Sequence, residues 1–151
     1  MTITERVQSD LAAAAKARDQ ARLAALRLVL DSLRKEAKEA RRELDEQQEI
    51  AVLKRERKRR AEAAEAYRGG GRIELAEKEE AEGALIDEYL PEQISDQELE
   101  ALVNDAVGET GAQSPKEMGK VMAAVMPRLG GRADGRRVSE AVRERLAGSG
   151  S

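Results

Sequence analysis

Leu23, Leu26, Leu30 and Leu33 recur at steps of three and four residues through ARLAALRLVLDSLRK. In an α-helix that spacing puts all four on one face, whereas in a strand they would scatter over both. Leu28 and Val29 lie beside the stripe. The stripe is read as packing, the centre of an N-terminal core, and it must be buried against other helices. Ala, Leu, Glu, Lys and Arg dominate the rest of the chain, which favours helices over sheets. There is no Phe and no Trp, and Tyr67 and Tyr89 are the only aromatics. Each core must therefore be a thin one of Leu, Ile, Val, Met and Ala. The expected class is all-α: N-terminal helical hairpins or a bundle, followed by a small three-helix C-terminal domain.

Before the leucine stripe, Thr2 and Glu5 fit a capping box, and Ile3, Val7, Leu11 and Ala14 or Ala15 give the first helix its apolar line. The phase changes between Ala17 and Asp19, and Asp19 can cap the leucine helix. Asp45 with Gln48 marks a third start, carried by Ile50, Leu53, Ala61, Ala64 and Tyr67 and ended by Gly69 to Gly71. A fourth, acidic helix is expected from Ile73 to Leu90. The short connection makes these two an antiparallel hairpin. Through the third helix runs KRERKRR, Lys54 to Arg60. Alone it looks like a nucleic-acid patch. Beside Glu74, Glu77, Glu79, Glu80, Glu82, Asp87 and Glu88 it reads better as cross-helix charge pairing. The triple glycine is no phosphate loop, because Arg72 and Ile73 stand where a Lys-Ser or Lys-Thr pair is needed.

Pro91 biases Leu90 away from helical backbone and marks a boundary. The expected domains are 1–90 and 95–147, with 148–151 a frayed tail. In the second, Ser95 and Glu98 cap a helix packed through Leu99, Leu102, Val103 and Ala106, and Ser114-Pro115-Lys116-Glu117 starts another. The latter carries Met118, Val121, Met122 and Val125 up to Pro127. A glycine-rich, basic loop follows. Asp134 then stands where it can cap a last helix bearing Val138, Ala141, Val142 and Leu146. Charge is divided: Pro91 to Pro115 holds six acids and no base, while Lys116 to Arg145 holds eight bases against four acids. Arg128, Arg132, Arg136 and Arg137 lie on or beside the glycine loop, and are expected to be the freest cations of the protein. They are either merely solvated or a corner that faces phosphate.

MGKVM, then a proline and GRADG, resembles the tail domain of the B subunit of the glutamyl-tRNA(Gln)/aspartyl-tRNA(Asn) amidotransferase. Nearly the whole chain resembles the YqeY family, free-standing relatives of that tail, through RVQSDLAAAAKARD, LAALRLVLDSL, IDEYLPEQ, SPKEMGKVM and GRADG. The resemblance implies a GatB/YqeY-type C-terminal domain. In the amidotransferase the tail is a helical appendage that helps engage tRNA, and the chemistry belongs to other parts. The implied role is therefore a non-catalytic tRNA-binding or tRNA-linked accessory module. Its candidate nucleic-acid residues are Lys120, Arg128, Arg132, Arg136 and Arg137.

The residues themselves agree with a non-catalytic reading. Without Cys or His the chain lacks thiolates, imidazole bases and the usual zinc ligands. It carries no G-x-S-x-G, calcium-loop or dinucleotide pattern, and no catalytic residue, metal or cofactor is expected. A net charge of −3 excludes polyanion binding by bulk attraction, so RNA would need a local patch. Without Phe or Trp, it would be held by phosphate and 2′-OH rather than by base stacking. The opening MTITERVQSD has no apolar core of signal-peptide length, and no stretch approaches a membrane span, so a cytoplasmic protein without membrane contact is expected. The alternative function is a helical adaptor that holds a protein partner through the N-terminal helices. A component of an amide-transferring enzyme, a carbon–nitrogen ligase with glutamine as donor, ranks third.

Overall fold

The computed structural model describes residues 1–149, in which all regular structure is helical. The chain divides into two compact units, residues 1–90 and 91–151. The first contains α1 (Ile3–Lys16), α2 (Gln20–Ala40), α3 (Glu46–Gly69) and α4 (Ile73–Asp87). The second contains α5 (Asp96–Thr110), a single 3₁₀ turn (Pro115–Glu117), α6 (Met118–Leu129) and α7 (Gly135–Ser149).

In the first unit the leucine stripe of α2 lies in the core, with Leu26 and Leu33 almost wholly enclosed. Val29 joins them, whereas Leu28 faces out at 46% exposure. Val7 from α1, Ile50, Val52 and Leu53 from α3, and Ile86 from α4 complete the cluster. Caps set the helix starts. The Thr2 hydroxyl accepts from the Glu5 amide at 3.0 Å, and the Asp19 carboxylate accepts from Arg22 N–H at 3.1 Å. Asp45 and Gln48 form a reciprocal capping box. Glu49 is buried and reaches from α3 to the first turn of α1, where it accepts from Thr4 N–H at 2.7 Å and the Thr4 hydroxyl at 2.6 Å. It thereby satisfies an amide that the helix itself leaves without a partner.

Helix α4 ends at Asp87, three residues before the expected Leu90. Glu88, Tyr89 and Leu90 instead form a tightened turn whose amides reach back three residues. In this turn Tyr89 faces inward: its ring is buried, its hydroxyl donates to Asp10, and the Arg6 guanidinium lies 5.2 Å from its centroid. Burial, reinforced by the Asp10 carboxylate, pushes the Tyr89 hydroxyl well above the ordinary phenol range.

The second unit has its own core of Leu99, Val103, Val121, Val125, Leu129, Val138, Val142 and Leu146. Ser95 caps α5 by accepting from Glu98 N–H at 3.1 Å, and Gly111 ends that helix with φ +70°. The Glu117 carboxylate accepts from Gln113 N–H at 2.6 Å and from Ser114 N–H, which holds it below the usual carboxylate range. Helix α7 continues through Gly148 to Ser149, past the expected end at 147. The remainder of the expected frayed tail, Gly150 and Ser151, lies outside the described residues.

Candidate nucleic-acid interface

The corner between α6 and α7 is built by Pro127, two glycines and an aspartate. Pro127 does not end α6, as the sequence suggested. It sits in the last turn, and the helix runs on to Leu129, which is 1% exposed. A proline there forfeits one backbone bond. Burial of the Leu129 side chain offsets that loss. Gly130 and Gly131 follow with φ of +56° and +82°, backbone that side chains with a Cβ rarely adopt. The Arg132 amide closes the turn onto the Leu129 carbonyl at 3.1 Å, and the Ile94 amide donates to the Arg132 carbonyl at 2.9 Å. The loop is thus fastened beside the start of α5. Asp134 then accepts from Arg137 N–H at 2.8 Å and caps α7.

This corner distributes the candidate cations unevenly. Arg132 and Arg137 come together at the N-terminal turn of α5, where Arg132 pairs with Glu98 at 3.4 Å and Arg137 with Asp96 at 2.7 Å. Arg128 is drawn to the other end of the same helix by Glu109, whose carboxylate holds the guanidinium still more firmly protonated than usual. Glu98 and Glu109 are eleven positions apart, about 16 Å along a helix axis. Arg136 pairs along its own helix with Glu140 at 3.4 Å and is 89% exposed. Lys120 stands near the start of α6 beside Glu117, at 3.6 Å, away from the loop.

The loop arginines are therefore not the free charges that the sequence suggested. The side chains of Arg128, Arg132 and Arg137 reach exposed acids of α5, while Arg136 pairs along α7. These contacts remain exchangeable. The side chains of Arg128, Arg132 and Arg137 keep 39%, 38% and 30% exposure, and solvent screens exposed pairs of this kind. A groove of about 530 Å³ between α5 and α7 is less suited to phosphate, since Glu100, Glu140 and Glu144 line it with Arg137 and Arg145.

The other basic run, KRERKRR, is engaged within the first unit. Arg57 pairs with Asp87 at 2.8 Å, and Arg60 lies between α3 and α4 with Glu82 at 3.2 Å and Glu79 at 3.8 Å. Arg59 and Arg60 also hold Glu56 on their own helix, and Arg55 reaches Glu36 on α2. Gly83 explains itself here: a Cβ at that position would stand 2.7 Å from the Arg57 guanidinium. The glycine lets Arg57 cross α4 to Asp87.

Periodicity missed Glu49 and Glu56, the two buried carboxylates of α3. Both sit at helical spacing from Leu53, but their charge excluded them from an apolar pattern. Among the described residues, no group of three or more His, Cys, Asp or Glu side chains is placed to hold a metal, and no helix is long and apolar enough to cross a membrane. The family model described as Yqey-like protein matches residues 4–146. No curated protein matches the chain significantly.

Proposed function

The chain belongs to the Yqey-like protein family, and on that premise we propose that it is a non-catalytic, tRNA-linked accessory module that grips backbone phosphates with its C-terminal unit. The observation that carries this reading is the corner itself. A glycine turn stands between Arg128, Arg132, Arg136 and Arg137, all solvent-accessible and each in an exposed ion pair, with Arg132 also donating to the Leu129 carbonyl at 3.1 Å. The resemblance of MGKVM and GRADG to the amidotransferase tail supports RNA as the phosphate source.

Three or four phosphate contacts make weak, salt-sensitive binding, with a log–log slope of roughly −3. Phosphate contacts position and do not specify, so Arg132→Ala with Arg136→Ala should weaken all tRNAs about equally. Titration of both proteins with folded tRNA at two salt concentrations checks this. No binding by wild type at low salt, or identical binding by both, transfers the reading to a helical adaptor. The observation favouring that second reading is the exposure of Leu28, Ile73 and Leu75 on the N-terminal unit, at 46%, 44% and 40%.

A further inference from the structure

We infer that α5 is a built-in competitor for the arginine corner, an acidic strap whose carboxylates occupy three of the four arginines until the phosphates of a polyanion take their place. This rests on the phosphate-binding reading and adds its regulation. Each of three arginines is taken by a different carboxylate of one helix: Arg137 by Asp96 at 2.7 Å, Arg132 by Glu98 at 3.4 Å, and Arg128 by Glu109. The segment that supplies them, Pro91 to Pro115, contains six acids and no base, so nothing on it rewards an incoming phosphate. The guanidinium-bearing side chains of Arg128, Arg132 and Arg137 keep 39%, 38% and 30% exposure, so another anion can reach them. Arg136 escapes the strap: its partner Glu140 lies on α7 itself, and its side chain points into solvent. A polyanion therefore meets Arg136 first and gains the other three only by exchange. Such exchange cancels part of each new charge-assisted bond, which keeps affinity low and selects ligands with several closely spaced phosphates.

The test uses the full chain and two triple variants of equal net charge. Asp96→Asn, Glu98→Gln and Glu109→Gln remove the strap. Glu92→Gln, Glu100→Gln and Glu144→Gln remove three exposed acids that form no ion pair among the described residues. Each protein is titrated with folded tRNA and eluted from immobilised heparin by a salt gradient, with helical content and melting checked by circular dichroism. The strap variant should bind tRNA about tenfold more tightly than wild type, the product of three exposed pairs each worth a few-fold. It should also elute from heparin at higher salt, while the control shifts by about twofold or less. Equal shifts of the two variants would mean bulk charge and overturn the strap, as would no shift in either. A heparin shift specific to the strap variant without tRNA binding by any protein would uphold the strap and remove RNA as its ligand. Should the triple variant melt early, Glu98→Gln alone, against Glu100→Gln, carries the same comparison at about two- to threefold.

Discussion

Glu49 shows how much one buried side chain does in a chain with so few large apolar groups. At 2% exposure it accepts two hydrogen bonds from Thr4, one of them from the backbone of the first turn of α1. A carboxylate at that end is also favoured by the helix dipole. Glu49→Ala removes the acceptor and leaves a part-buried amide and hydroxyl without their partner. The expected loss is about 1–3 kcal/mol in urea unfolding. Glu49→Gln keeps one acceptor oxygen and should lose less. Equal stability of Glu49→Ala and wild type would show that water replaces the carboxylate at no cost.

Among elements, the α3–α4 hairpin is the pair most extensively packed, and it is held by charge as well as by apolar contact. Arg60 is central to it. Its side chain is 15% exposed, and it faces Glu56, Glu79 and Glu82, whose side chains are 7%, 23% and 14% exposed. Arg60→Ala would leave those carboxylates facing one another across the seam. Removing one member of a buried pair costs about 3 kcal/mol or more, and denaturant midpoints should register it. Lys58, four residues before Glu62 and 78% exposed, gives the contrast. Lys58→Ala should change stability by about 0.5 kcal/mol or less. If the two variants proved equally mild, the hairpin would owe its stability to apolar contacts alone.

At the scale of the whole molecule, two thin aliphatic cores stand side by side in sequence, one in residues 1–90 and one in 91–151. We propose that each folds by itself. The first is centred on α2, and the second closes through α5, α6 and α7 with the Ile94–Arg132 backbone bond. Fragments spanning 1–90 and 91–151, prepared separately, should each melt cooperatively with helical circular dichroism. The shorter should be the less stable, because a smaller chain buries a smaller share of its surface. A gradual, non-cooperative loss of helix in either fragment would show that the units depend on one another.

The family match rests on sequence. So do the all-helical class, the leucine face of α2, and the caps at Asp19, Asp45, Ser95 and Asp134, because each depends on residues within about four positions of one another, the range over which helix periodicity and capping act. Neighbours decided the rest. Helix α4 stops at Asp87 and the next turn sends Tyr89 in against α1, and α6 runs through Pro127 to Leu129, which is buried in the second core. Glu49 was buried against Thr4 of α1, a partner that no local pattern names, whereas Glu56 meets Arg59 and Arg60 within its own helix and only its burial was decided by tertiary packing. The arginine corner shows the division most clearly. Its glycines, its cap and its charge could be read from MPRLGGRADGRR, but the capture of Arg128, Arg132 and Arg137 by α5 could not. An ion pair forms where the fold brings two long side chains within about 4 Å, and residues 41 apart, such as Asp96 and Arg137, meet only after three helices have packed.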